Sequence, residues 1–314
     1  MIRFFDGGMG SMLNLAAGEL PEKLNISEPE RVFAVHKGYA DAGAEFITAN
    51  TFGANSLKYD NVDELVKAGV ALAKKAGKYV ALDIGPTGKL LKPMGDLEFE
   101  RAVELFAEVV RAGKDGSDVA IIETMSDMYE LKAAVIAVKE NSDLPIITSM
   151  IFDESGRLLT GGDVKSAVAM LEGLRVDAIG FNCGLGPKQM IPLVKELREC
   201  TSLPILVMPN AGLPESVDGK TVYNVSPDEF AQDMREIAKL GVSILGGCCG
   251  TTPKHIAKMI ELCKDIPDNV PEKKNDTVVC SYSSAVTIGE KPVVIGERIN
   301  PTGKKLFKEA LRNN

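Results

Sequence analysis

The sequence predicts a (β/α)8 barrel with a short C-terminal extension. Eight short apolar runs alternate with segments of helical period across residues 1–265. Most of the runs are continuously apolar, as parallel strands buried on both faces require. Several end in a polar or metal-binding side chain, at the point where the βα loops of a barrel begin. A doubly wound open sheet is the alternative. The first turn, Asp6-Gly-Gly-Met-Gly-Ser11, lacks the full dinucleotide fingerprint and its acidic partner.

In chain order the expected strands are Ile2–Asp6, Glu45–Thr51, Val80–Ile84, Val119–Glu123, Pro145–Ile151, Ala178–Asn182, Ile205–Pro209 and Ser243–Gly247. Helical spacing between them is clear where Val103, Phe106, Ala107 and Val110 recur, and again at Val164, Ala167, Val168 and Leu171. Ser226-Pro-Asp-Glu229 and Ser27-Glu-Pro-Glu30 fit a capping box, and Thr252 before Pro253 fits an N-cap. Residues 1–265 are therefore read as the barrel. Residues 266–290 are polar, charged and proline-bearing, as in a linker. Residues 291–314 read as a strand from Pro292, a turn to Gly303 and a basic helix, the first βα unit of a truncated second domain.

Composition narrows the function. A formal charge of −8 argues against a nucleic-acid partner, which calls for clustered Lys and Arg. No apolar run is long enough to span a membrane. The opening Met1-Ile-Arg-Phe-Phe-Asp6 has no signal-peptide character, so a cytoplasmic protein is expected. Six cysteines in such a chain suit metal ligation or free thiols better than a disulfide framework.

Three of those cysteines lie at strand ends, in Gly180-Phe-Asn-Cys-Gly184 and Gly246-Gly-Cys-Cys-Gly-Thr-Thr-Pro253. Cys183, Cys248 and Cys249 could hold one Zn²⁺ with its fourth position open, as a catalytic site requires. Cys248 and Cys249 can share an ion only if the backbone leaves the extended form, which Gly246, Gly247 and Gly250 permit. Buried core thiols or a vicinal disulfide are the alternatives. A tris-thiolate centre is a weak activator of water and favours binding a thiol as its anion. Asp6 and Glu123 could hold an ammonium group, and the backbone of Gly7 and Gly8 could take a carboxylate. Together they would form an amino-acid clamp; a loop cap for Asp6 and a rim ion pair for Glu123 are the plainer readings. Asn50, ending the second strand, is expected to bind substrate with the clamp, and Asp83 also ends a strand. Asn210 could fill the fourth metal position without substrate, or be an ordinary turn residue. His255 could reach the metal but is expected rather to pack or cap, His36 to be an ordinary helical residue, and Cys200, Cys263 and Cys280 to lie outside the site.

The chain resembles the homocysteine-binding module of cobalamin-dependent methionine synthases. The resemblance rests on Asp6-Gly-Gly-Met-Gly10, Ala49-Asn-Thr-Phe-Gly53, Ile84-Gly-Pro-Thr-Gly88, Ile122-Glu-Thr-Met125, Pro209-Asn-Ala-Gly212 and the two cysteine stretches. Gly296-Glu-Arg-Ile-Asn-Pro-Thr-Gly303 is similar to the opening of the methyltetrahydrofolate-binding barrel that follows in those enzymes. The resemblance implies zinc on Cys183, Cys248 and Cys249. It also implies homocysteine held by Asp6, Glu123 and the loop after Asp6, and methylcobalamin on a domain absent here as methyl donor. Cobalamin-binding and methyltetrahydrofolate-binding domains would be the partners. A stand-alone methyltransferase using S-methylmethionine, S-adenosylmethionine or betaine, and a non-catalytic zinc barrel, remain the alternatives.

Overall fold

Eight parallel strands form one sheet that curls until its edges meet. The computed structural model describes residues 1–15, 18–217, 220–289, 291–296 and 301–313. The barrel strands are β1 (Arg3–Phe4), β2 (Phe46–Thr48), β3 (Tyr79–Ile84), β4 (Val119–Met125), β5 (Ile146–Met150), β6 (Ala178–Asn182), β7 (Ile205–Met208) and β10 (Ile244–Leu245). Strands β8 (Glu215–Val217) and β9 (Lys220–Val222) make a small hairpin in the loop after β7. The sheet order is β1-β10-β7-β6-β5-β4-β3-β2. A parallel bridge between Phe5 and Phe46 joins its two edges, and the Glu45 N–H donates to the Phe4 carbonyl at 2.8 Å. The open-sheet alternative is thereby excluded. All eight expected segments form strands, most of them shorter than the apolar runs, because pairing stops where the chain bends into its loops.

The helices are α1 (Met9–Leu13), α2 (Leu24–Ser27), α3 (Pro29–Asp41), α4 (Val62–Lys75), α5 (Phe99–Gly113), α6 (Met128–Asn141), α7 (Val164–Gly173), α8 (Pro187–Cys200), α9 (Pro227–Lys239), α10 (Pro253–Cys263) and α11 (Lys305–Arg312). Among the described residues none is long and apolar enough to cross a membrane. Two apolar layers hold the fold. A large one packs the outward faces of the strands against the helices, and Val164, Ala167, Val168 and Leu171 lie in it as their spacing requires. A small one fills the barrel with Phe5, Ala81, Ile121, Ile147, Leu206 and Ile244. Below it Arg3 stacks over Phe46 and Tyr79, 5.5 and 5.8 Å from the ring centroids, and pairs with Glu45 at 3.0 Å. Side chains thus seal the N-terminal end of the barrel.

Helix starts follow the sequence at two of the three expected caps. Ser226 and Glu229 form the capping box of α9. Thr252 caps α10, with His255 Nδ1 in place of a carboxylate, 2.9 Å from the Thr252 hydroxyl. The box expected at Ser27 does not form. Ser27 ends α2, its hydroxyl donates to the Lys23 carbonyl at 3.1 Å, and the residue before α3 is Glu28.

The segment after α10 departs from the expected linker. Strands β11 (Thr277–Cys280) and β12 (Ala285–Ile288) form an antiparallel hairpin lying along α7. Lys165 donates to the Thr287 hydroxyl at 2.8 Å, and the Tyr282 hydroxyl donates to Asp127, the N-cap of α6. Val278 and Val279 carry the pairing signal there, which the surrounding polar residues mask in a composition reading. The expected strand at Pro292 is also not formed, residues 292–296 having no regular structure. Glu297–Asn300 of the Gly296–Gly303 motif lie outside the described residues, and the expected basic helix is α11.

A candidate metal and amino-acid site at the barrel mouth

The strand ends open into a cavity of about 240 Å³ lined by Asp6, Gly7, Gly8, Asn50, Asp83, Glu123, Cys183, Cys248 and Cys249, among others. Sequence reasoning named all nine as strand-end or loop residues. Asn210 is not among the residues lining it.

The three thiols converge. The Sγ atoms of Cys183, Cys248 and Cys249 lie within 4.8 Å of one another, with Cys183 and Cys249 3.9 Å apart. The backbone makes this possible in two places. Cys183, just past β6, adopts φ 55°, a left-handed conformation unusual for a residue with a Cβ. After β10 the chain leaves the extended form, and Gly250 at φ 78° turns it back, so that adjacent cysteines serve one centre. A side chain at Gly250 would strike the Tyr223 ring, 2.4 Å from the position of its Cβ.

Electrostatics separates the thiols. Hydrogen bonds from Cys183 and Cys248, together with the Tyr223 hydroxyl, push the Cys249 thiol down to about 3. Cys248 is raised, first by its hydrogen bond to Cys183 and then by the one to Cys249. The hydrogen bond from Cys248 lowers Cys183, but its contact with Cys249 and burial outweigh that and leave it at about 11. One thiolate is thus favoured and further charge is resisted, a set of soft donors awaiting a cation. Sulfur ligands in this number suit zinc.

Asn182, which sequence reasoning passed over, braces this centre. It is fully buried at the end of β6. Its Oδ1 accepts from the Thr124 N–H at 2.9 Å and the Ser149 hydroxyl at 2.8 Å, and its Nδ2 donates to the Thr124 hydroxyl at 2.7 Å and contacts Cys248 Sγ at 3.9 Å. Its only signal in the sequence is an amide ending an apolar run. Thr124 sits at φ 64°, where the β4–β5 register shifts. That irregularity follows Glu123 at the rim.

The residues of the expected clamp are tied to their neighbours. Both Asp6 oxygens are already engaged, by the Thr48 N–H at 2.9 Å and the Thr48 hydroxyl at 2.7 Å. The Gly8 N–H donates to the Thr251 hydroxyl at 3.1 Å. A Cβ on Gly7 would lie 2.5 Å from that hydroxyl, and one on Gly8 2.6 Å from the Cys248 carbonyl, so both glycines fit the first loop tightly against the cysteine loop. Asn50 donates to the Pro21 carbonyl and to Asn25 Oδ1, both at 2.8 Å, tying the rim together. Asn210 is buried and its Oδ1 has no hydrogen-bond partner. His255 is spent on Thr252 and, through Nε2, on the Val225 carbonyl at 3.0 Å. His36 is buried with neither ring nitrogen paired, and burial lowers it to about 4. Cys200 and Cys263 end helices and Cys280 lies in β11, all outside the site.

Burial raises Asp6 to about 7, and burial with the neighbouring Asp6 charge raises Glu123 to about 8. These two groups hold more protons in the folded chain than in the unfolded chain between about pH 4 and 8, so their contribution to stability falls as pH rises through that window, by up to about 1.4 kcal/mol per pH unit for each, while the lowered Cys249 and His36 act in the opposite direction. Between pH 5.5 and pH 8 the metal-free wild type is expected to lose stability relative to Glu123→Gln, which lacks the Glu123 contribution. Thermal melts across the range check this, and an unchanged slope in the variant would remove Glu123 as a source.

The profile of the homocysteine S-methyltransferase family matches residues 3–263, and the chain belongs to that family of methyltransferases. Among curated relatives, it is 32% identical over 344 aligned residues to a methionine synthase of Mycobacterium leprae. It is 31% identical over 339 to a methionine synthase of Mycobacterium tuberculosis. Each alignment covers 98% of this chain and 28% of the relative, so the chain spans little more than a quarter of their length. Among solved structures, the metallated homocysteine methyltransferase MmuM from Escherichia coli superposes with a TM-score of 0.71 at 23% identity, over 82% of this chain and 95% of that one. It shares the barrel fold.

Proposed function

We propose that this chain binds Zn²⁺ through Cys183, Cys248 and Cys249 and prepares homocysteine to accept a methyl group, forming methionine. The observation that carries this reading is the convergence of three thiols in a cavity lined, among the described residues, by no Lys, Arg or His. Family membership supplies the acceptor class. A zinc ion held there would take the substrate thiol as its anion, leaving an electron-rich sulfur without a strong base. The protein's own contribution is to position. Asn182 fixes the Cys248 and Thr124 loops, and the Cys248–Thr251 turn packs on Gly7 and Gly8. Acidic side chains line the wall where an amino group would sit.

The methyl donor in this reading is methylcobalamin on a separate domain, which the length of the methionine synthase relatives accommodates. Residues 1–265 would then be the homocysteine barrel, 266–290 its connection and 291–314 the opening of a methyltetrahydrofolate-binding unit. The purified chain is expected to carry one zinc and to release about one proton per homocysteine bound near pH 7, because the free thiol is mostly protonated there. Metal analysis with calorimetry in two buffers of different ionisation enthalpy checks this. Full zinc with no change at the metal on adding homocysteine would make the ion structural. Methionine formed from S-methylmethionine by the chain alone would reassign the donor.

A further inference from the structure

Four carboxylates line the cavity, and their surroundings differ. Glu22 accepts from the Gly53 N–H at 2.6 Å and from the Tyr59 hydroxyl. Asp6 is held at both oxygens by Thr48. Glu123 receives no hydrogen bond among the described residues, and neither does the Asp83 side chain. Asp83 is 5% exposed, and its Oδ1 is buried without a partner. It stands on β3 in register with Ile121, on the strand face that carries Ala81 into the barrel interior, two residues below Glu123 on β4. The charges felt by Asp83 are all negative, from Glu123, Asp6 and Glu22. An unpaired buried carboxylate is costly unless protonated or met by a cation. No basic residue lines the cavity among the described residues, so a cation that met this carboxylate would come from a ligand.

We propose that Asp83 is a substrate-positioning and specificity-determining residue, which with Glu123 receives the ammonium group of an α-amino thiol. The proposal rests on the homocysteine reading above and adds a residue to its clamp. An ammonium brings three donors and one positive charge. Asp83 and Glu123 offer it acceptors that no protein group has taken, deeper in the barrel than the thiol cluster's loops. The pair therefore selects for the amino group, and the sulfur is left to the cysteine centre.

The test compares L-homocysteine with 4-mercaptobutyrate, which differs by the absent amino group, on zinc-loaded protein by calorimetry. Wild type is expected to bind homocysteine more tightly. Asp83→Asn should weaken homocysteine about tenfold to a hundredfold, the worth of a hydrogen bond between charged groups, and leave 4-mercaptobutyrate within about threefold. Zinc content should stay at the wild-type value. Asp83→Ser, smaller and also neutral, should give the same collapse of discrimination. A homocysteine preference kept in both variants would overturn the proposal, as would equal weakening of the two thiols. If wild type binds neither thiol while holding zinc, the homocysteine reading itself fails, a result distinct from a loss confined to the variants.

Discussion

Cys248→Ala is expected to strip the chain of stoichiometric zinc and leave the barrel folded. The loop that carries Cys248 does not depend on its thiol. Its N–H donates to the Pro209 carbonyl at 2.9 Å, and its carbonyl accepts from the Thr251 N–H at 3.1 Å and the Thr251 hydroxyl at 2.6 Å. Losing Sγ therefore removes a donor and keeps the turn. Protein zinc sites with four ligands are worth about 10–16 kcal/mol, so one ligand carries roughly 3 kcal/mol, and affinity should drop a hundredfold or more. Cys183→Ala should behave alike, since its Sγ closes the other side of the cluster, 3.9 Å from Cys249. Both variants should also lose homocysteine binding. Metal analysis after mild chelation, with thermal melts of the metal-free proteins, checks the pair. Full zinc in both would contradict the assignment.

Gly180→Ala should cost about 3 kcal/mol or more, above the usual range for overpacking. Gly180 lies in the middle of β6, opposite Leu206 of β7. A Cβ there would stand 1.9 Å from the Leu206 carbonyl oxygen and 2.6 Å from its carbon. The obstacle is backbone in the neighbouring strand, which cannot rotate away as a side chain would. Relief requires β6 and β7 to separate, just below Asn182 and Cys183, so the thiol cluster should loosen with the fold. Gly173→Ala, exposed at the end of α7 with nothing within 4 Å, is the control and should be near neutral. Urea titration of the two variants measures the difference. A Gly180→Ala protein within about 1 kcal/mol of wild type would mean the barrel yields there.

The barrel was legible because its strands are buried on both faces and so read as unbroken apolar runs, as at Ile205–Met208. The thiol centre was legible because cysteine and glycine together at strand ends have few uses. What the sequence concealed was pairing across distance. Nothing local says that Thr48 occupies Asp6, that Thr251 takes the Gly8 N–H, or that Asp83 is left without a partner. Those outcomes depend on which strand ends meet above the barrel. The β11–β12 hairpin was hidden for another reason. It borrows its support from α7, so its own residues need only a weak strand pattern.

The stack of Arg3 on Phe46 and Tyr79 turns the barrel into a blind well. Molecules cannot pass through it, so everything arrives and departs over a single lip. Two reactants meeting there must queue. On the function proposed above, a small acceptor would descend to the acidic floor first, and a bulky donor would settle above it like a lid.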